Sequence, residues 1–128
     1  MIIVFADVVD HTAYLQRVGD ARGRADVGAT LAAVETALQR GGSLARPNAP
    51  AGDGILLIGE SSVDIAAIVT QAVLYQQFAE AALPARIAIG SGEPEWLGPP
   101  WAAGSTVVGS AVNLVKRLEA QCDPGGVV

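Results

Sequence analysis

Four side chains in this chain have types and spacing suited to phosphoryl chemistry: Asp7 and Asp53, and the pair Asn113 and Arg117. Asp7 closes the apolar run "IIVFADV", and Asp53 sits in a Gly-Asp-Gly tip just before "ILLIGE". If the two runs are strands paired side by side, both carboxylates reach one sheet edge. At about 4 Å and an effective dielectric near 20 their repulsion is on the order of 4 kcal/mol, large against the net stability of a domain. A divalent cation removes that cost. Oxygen ligands alone suit magnesium or manganese, and two carboxylates leave the remaining positions to water or substrate phosphate. Each acid also has a plainer reading, Asp7 as a helix cap and Asp53 as a turn residue. Asn113 and Arg117, one helical turn apart, share a face opposite Ala111, Leu114, Val115, Leu118 and Cys122. A guanidinium offers phosphate oxygens a fork of donors and an amide offers one aimed donor. A solvated polar face that includes Lys116 and Glu119 is the plainer reading of that helix.

The elements that must position these groups follow from periodicity. Residues 2–8 are β-branched and continuous, as in a strand covered on both faces. Leu15, then Val27, Leu31, Val34 and Leu38, mark helical structure from Thr12 to the "RGG" at 40–42. Residues 43–54, with two prolines, read as the irregular first arm of a hairpin. A second helix carries Ile65, Ile68, Ala72, Tyr75, Ala79 and Ala82, with Ser61 or Ser62 as its cap. Val69, Val73, Leu74 and Phe78 widen its apolar stripe, for which core packing is the first explanation and a subunit contact the second. A strand at 85–92 leads into a Pro- and Gly-rich loop carrying Trp96 and Trp101, then a third helix over 107–121 and the start of another strand at "PGGVV". The order predicts one α+β domain over residues 1–128, a ferredoxin-like βαββαβ antiparallel sheet with helices on one side. A further helix and an incomplete C-terminal strand extend it.

Composition narrows the function. Thirteen acidic against eight basic residues give a net charge of −5, which argues against nucleic acid as a partner. The same acidity counts against a two-metal nuclease or polymerase, which needs a basic track for its polymer. Cys122 is the only cysteine, so no internal disulfide forms, and a reducing cytoplasm is the expected location. The most apolar long window, 63–83, is interrupted by Asp64, three glutamines and Glu80, too polar to span a membrane.

"FADVVDHT", "GDGI", "RIAIGSGE" and "GSAVNLVKRLE", in this order and at these separations, resemble the class III nucleotidyl cyclase catalytic domain, the adenylate and guanylate cyclase family. The resemblance covers residues 2–128 and implies an enzyme that converts ATP, or less favourably GTP, to the 3′,5′-cyclic monophosphate and pyrophosphate. It implies that Asp7 and Asp53, with the Val8 carbonyl, hold two Mg2+ or Mn2+ ions, and that Asn113 and Arg117 orient the ribose and stabilise transition-state charge. It further implies a head-to-tail homodimer in which the aspartates of one chain face the Asn and Arg of the other. Backbone N–H groups of Val9, Asp10, His11 and Thr12, at a helix start, would then cradle the terminal phosphates. His11 itself is assigned no acid–base role.

Two departures from the family pattern stand out. The family selects its purine with a Lys four residues before the second aspartate and an Asp seven before the Asn; those positions hold Ala49 and Thr106. Measured from the Gly41–Gly42 pair instead, the lysine slot falls on Arg46. The family also continues past this chain's last residue with a strand, a helix and a basic phosphate contact, so the C-terminal part of the domain is expected to be missing. These departures motivate a second reading, a catalytically degenerate domain that senses nucleotide or regulates through its dimer.

Overall fold

Seven consecutive residues rich in branched aliphatics make β1 (Ile2–Val8) the central strand. A computed structural model describes residues 1–47, 54–79 and 83–128. Antiparallel β2 (Gly54–Gly59) and β3 (Ala85–Ser91) flank β1, giving the order β2-β1-β3. Because side chains alternate across a strand, Ile2, Val4, Ala6 and Val8 enter one core while Ile3 enters another. Burial on both faces explains why the run is continuous rather than alternating.

The first core lies under α2 (Asp20–Gln39) and α3 (Ile65–Phe78). Val27, Leu31, Val34 and Leu38 are all buried there, as their spacing predicts. The expected single helix from Thr12 is two: α1 (His11–Val18) ends at Gly19, whose φ of +93° breaks the helical path. A left-handed φ is available to glycine at little steric cost, and the sequence reading did not use it.

α3 starts one residue after Asp64, whose carboxylate accepts from the Ala66 N–H at 3.0 Å. Asp64, and not Ser61 or Ser62, is therefore the cap. Ile68 and Ala72 are buried, but Val69, Val73, Leu74 and Phe78 are 37, 38, 42 and 73% exposed. Core packing does not account for those four. The end of the expected helix, at Ala82, lies outside the described residues.

The irregular first arm of the hairpin contributes one antiparallel bridge, Ala45 to Ile58. Where a loop without period was expected, β4 (Glu95–Leu97) pairs antiparallel with β5 (Thr106–Val108). α4 (Ser110–Gln121) follows, starting after Gly109 rather than at residue 107. It covers the sheet face opposite α2 and α3, so the two crossover helices share one side and the additional helix seals the other. The buried stripe of α4 is Val112, Val115 and Glu119, continuing to Cys122; Leu114, expected inside, is 56% exposed. The C-terminal residues begin the expected strand: Val127 bridges Ile87 in parallel, and the Val128 N–H donates to the Ile87 carbonyl at 2.9 Å. Among the described residues no helix is long and apolar enough to cross a membrane.

Truncation should separate the two sides of α3. Ile68→Ala empties a fully buried site and is expected to cost about 2–5 kcal/mol in urea unfolding. Phe78→Ser, at an exposed site, is expected to stay within about 0.5 kcal/mol of the parent in the monomer.

Candidate active site

Asp7 lies where the three strands of the main sheet stand in register, its Cα opposite Gly54 on β2 and Arg86 on β3. A Cβ at Gly54 would stand 2.5 Å from the Ala6 carbonyl oxygen and 2.8 Å from the Phe5 ring. Glycine is thus what lets β2 pair this closely beside Asp7. Asp53 lies outside the described residues; it directly precedes Gly54, the register partner of Asp7.

Past Asp7 the chain turns sharply. Asp10 adopts the left-handed conformation, φ +53° and ψ +36°, and occupies the N-cap position of α1 without a side-chain cap bond. Asp7 is therefore no helix cap: its Oδ1 accepts from the Val8 N–H at 2.8 Å. The left-handed region costs a non-glycine residue on the order of 1 kcal/mol, least for Asp and Asn. Val9 N–H donates to the Pro84 carbonyl at 2.9 Å, so it cannot also cradle a phosphate. That leaves the helix start itself, where the first-turn N–H groups lie at the positive end of the α1 dipole. Thr12 Oγ1 lies 3.3 Å from His11 Nε2.

Asp7, Val8, Asp10, His11, Thr12 and Arg86 all line one cavity of about 500 Å³. Arg86 was missed in the sequence. Its Nε is buried and makes no hydrogen bond, an expensive state for a guanidinium unless an acceptor arrives. A lone cation inside "ARIAIG", otherwise apolar and in register with Asp7, was the available signal. Glu119 was also misread, as part of a solvated face. It is 7% exposed, and burial, then the nearby Asp7 charge, push its carboxyl above the usual range, with Arg86 acting in the opposite sense. Burial likewise raises the Cys122 thiol, in keeping with a core residue.

For a divalent ion, the chemistry of the donors fits. Asp7 and Asp10 present carboxylates to the cavity, and oxygen-only donors in such a number suit magnesium or manganese with water or phosphate completing the shell. Among the described residues no group of three His, Cys, Asp or Glu side chains gathers as a complete protein cage.

Asn113 and Arg117 lie on the exposed side of α4, with Leu114 between them, and neither lines the Asp7 cavity. Among the described residues, the Asn–Arg pair and Asp7 therefore do not share a cavity within one chain. Of the purine positions, Ala49 lies outside the described residues. Thr106 opens β5 with its Oγ1 buried and unpartnered. Arg46 lines a second cavity, of about 230 Å³, with Trp96, Trp101 and Ser105. The tryptophan rings meet at 5.1 Å and 54°, so each is first a packing partner of the other.

No family model matches the sequence, and no curated protein matches it either. Solved structures do match in fold. The non-canonical dimeric guanylyl cyclase domain of the RhoGC fusion protein from the aquatic fungus Blastocladiella emersonii superposes with a TM-score of 0.72 at 18% identity, over 98% of this chain and 76% of that one. The catalytic core of a rhodopsin-guanylyl cyclase with converted specificity, in complex with ATPalphaS, gives 0.71 at 21% identity over 98% and 74%. The adenylyl cyclase CyaB from P. aeruginosa gives 0.67 at 19% identity over 98% and 74%. The fold of this chain is that of the class III cyclase catalytic domain.

Glu119 yields a pH test. An acid whose folded value is raised contributes fully below its unfolded value and loses that contribution as pH rises through the folded one. Glu119→Gln mimics the neutral acid, so its stability relative to the parent should improve from pH 4 to pH 7 in urea unfolding; a variant that instead loses stability relative to the parent over that interval would contradict the shift.

Proposed function

We propose that this chain is a metal-dependent purine nucleotide cyclase that converts ATP to 3′,5′-cyclic AMP and pyrophosphate, working in the cytoplasm as a homodimer. The observation that carries the reading is the register that sets Asp7 beside Gly54 and Arg86 at the mouth of one cavity. The fold shared with guanylyl and adenylyl cyclase domains supports it.

Intramolecular attack of the ribose 3′ oxygen on the α-phosphorus needs orientation and charge neutralisation more than covalent help. Asp7, the Val8 carbonyl and Asp53 would hold the divalent ions, which when bound acidify the 3′ hydroxyl and shield the triphosphate. Arg86 lines the same cavity with its Nε buried and unpartnered, and its guanidinium would suit the terminal phosphates. The first-turn amides of α1 add donors at the positive end of a helix dipole. Asn113 and Arg117, exposed on α4, would reach the cavity of a second chain, the amide aligning the ribose and the guanidinium meeting the developing charge on the α-phosphate. Arg46 and Thr106 replace the family's purine-reading Lys and Asp, so ATP is favoured over GTP only weakly. The same replacement favours the second reading, a nucleotide-sensing domain that binds ATP without making product.

Asp7→Ala should abolish manganese-dependent formation of cyclic nucleotide while ATP-independent stability persists; turnover equal to the parent would refute the assignment. Mixing inactive Asp7→Ala and Arg117→Ala chains should restore roughly a quarter of parental activity, because randomly formed mixed dimers contain one intact site. Binding of ATP and manganese by calorimetry with no cyclic product in the parent would select the sensing domain instead.

A further inference from the structure

A third cavity, of about 500 Å³, opens between α1, α2 and the arm before β2 and shares His11, Thr12 and Gln16 with the Asp7 pocket. Its floor is apolar, made by Leu15, Val27 and Leu31, the last two nearly fully buried. Its rim is cationic: Arg24 from α2 and Arg46 from the arm before β2 both line it. Among the described residues neither guanidinium is in an ion pair, although the chain carries thirteen acids. Asp20 also lines the rim, which leaves a net charge of about +1 with His11 neutral. That balance suits a single negative charge better than a triphosphate.

Gly28 adds an independent observation. α2 contains two interior glycines. At Gly23 a Cβ would meet Leu15 Cγ at 2.7 Å, so close contact with α1 explains the missing side chain. At Gly28, which lines this cavity, a Cβ would meet nothing within 4 Å, and the backbone is ordinary helix. An interior helical glycine destabilises by roughly 0.5–1 kcal/mol relative to alanine, and at Gly28 neither packing nor backbone conformation demands it. The open space beside Gly28 is the cavity it lines, which a larger side chain at this position would enter.

We propose that this cavity is a binding site for an amphipathic monocarboxylate, its apolar body on Leu15, Val27 and Leu31 and its carboxylate between Arg24 and Arg46. The volume falls in the range of small-molecule pockets, and an apolar floor with a few convergent donors is their usual composition. Arg24 forks to a carboxylate as Arg commonly does. The site borders the proposed nucleotide pocket, sharing His11 and Thr12 with it and drawing on Arg46, so its test reads binding in the absence of nucleotide and metal rather than turnover.

Octanoate titrated into the full chain, free of nucleotide and metal, should give saturable one-to-one binding by calorimetry. Gly28→Leu, which fills the cavity, and Arg24→Gln, which removes one donor, should each weaken that binding tenfold or more. Asp7→Ala should leave it unchanged. Gly28→Ala serves as the folding control and is expected to raise Tm. Saturable binding that Gly28→Leu and Arg24→Gln leave intact would place octanoate elsewhere and overturn the proposal, as would heat that never saturates. If Gly28→Leu does not fold, Arg24→Gln alone decides.

Discussion

The hydrogen-bonded register of β1 between β2 and β3 is the constraint on which the candidate site depends. It places Asp7 opposite Gly54 and Arg86, and through Gly54 it ties the end of β1 to the chain segment bearing Asp53. A slip of one residue would turn Asp7 to the other face and carry Ile3 out of the α4 core. The two cores therefore enforce the register: Ile2, Val4, Ala6 and Val8 commit one face to α2 and α3, and Ile3 commits the other to α4. Packing energy spread over the whole sheet thereby fixes the position of a single carboxylate.

Electrostatics then explain why this edge is costly when empty of substrate. Asp7 and Asp10 line one cavity together with Arg86, and the Asp7 charge and burial together push the Glu119 carboxyl toward its neutral form. Arg86 is itself short of acceptors, its Nε buried without a partner. A buried donor without an acceptor is costly, and an anionic ligand is the kind of group that would satisfy it. The left-handed Asp10 turns the chain from β1 into α1 at small local cost. Burial of Val112, Val115 and Glu119 holds Asn113 and Arg117 on the outward side of α4.

Much of this was legible in the sequence, for reasons that differ by element. A continuous apolar run told of a strand buried on both faces, and the spacing of Val27 to Leu38 told of a helix with one buried stripe. Local conformation was harder: Gly19 breaks the first helix through its φ, and Asp64 outcompetes the serines as a cap because its carboxylate reaches Ala66. β4 and β5 are only three residues each, too short for any period to show. In the site, the acids and the Asn–Arg pair stood out by type and spacing, whereas Arg86 and Glu119 did not. Their importance comes from what lies across the sheet, and tertiary burial turns an ordinary surface charge into a perturbed one. Val9 failed for a related reason, since its amide is claimed by Pro84, far away in sequence. The apolar width of α3 was visible, but not that it would remain exposed, because that depends on which face the sheet occupies.

The most direct measurement is anomalous diffraction from crystals of the chain grown with manganese and a non-hydrolysable ATP analogue. The register of β1 requires a manganese peak within about 2–2.5 Å of an Asp7 carboxylate oxygen, with the triphosphate turned toward Arg86 and the start of α1. Manganese bound away from Asp7, with the analogue ordered elsewhere, would contradict the claim that this strand edge is where metal and phosphate meet.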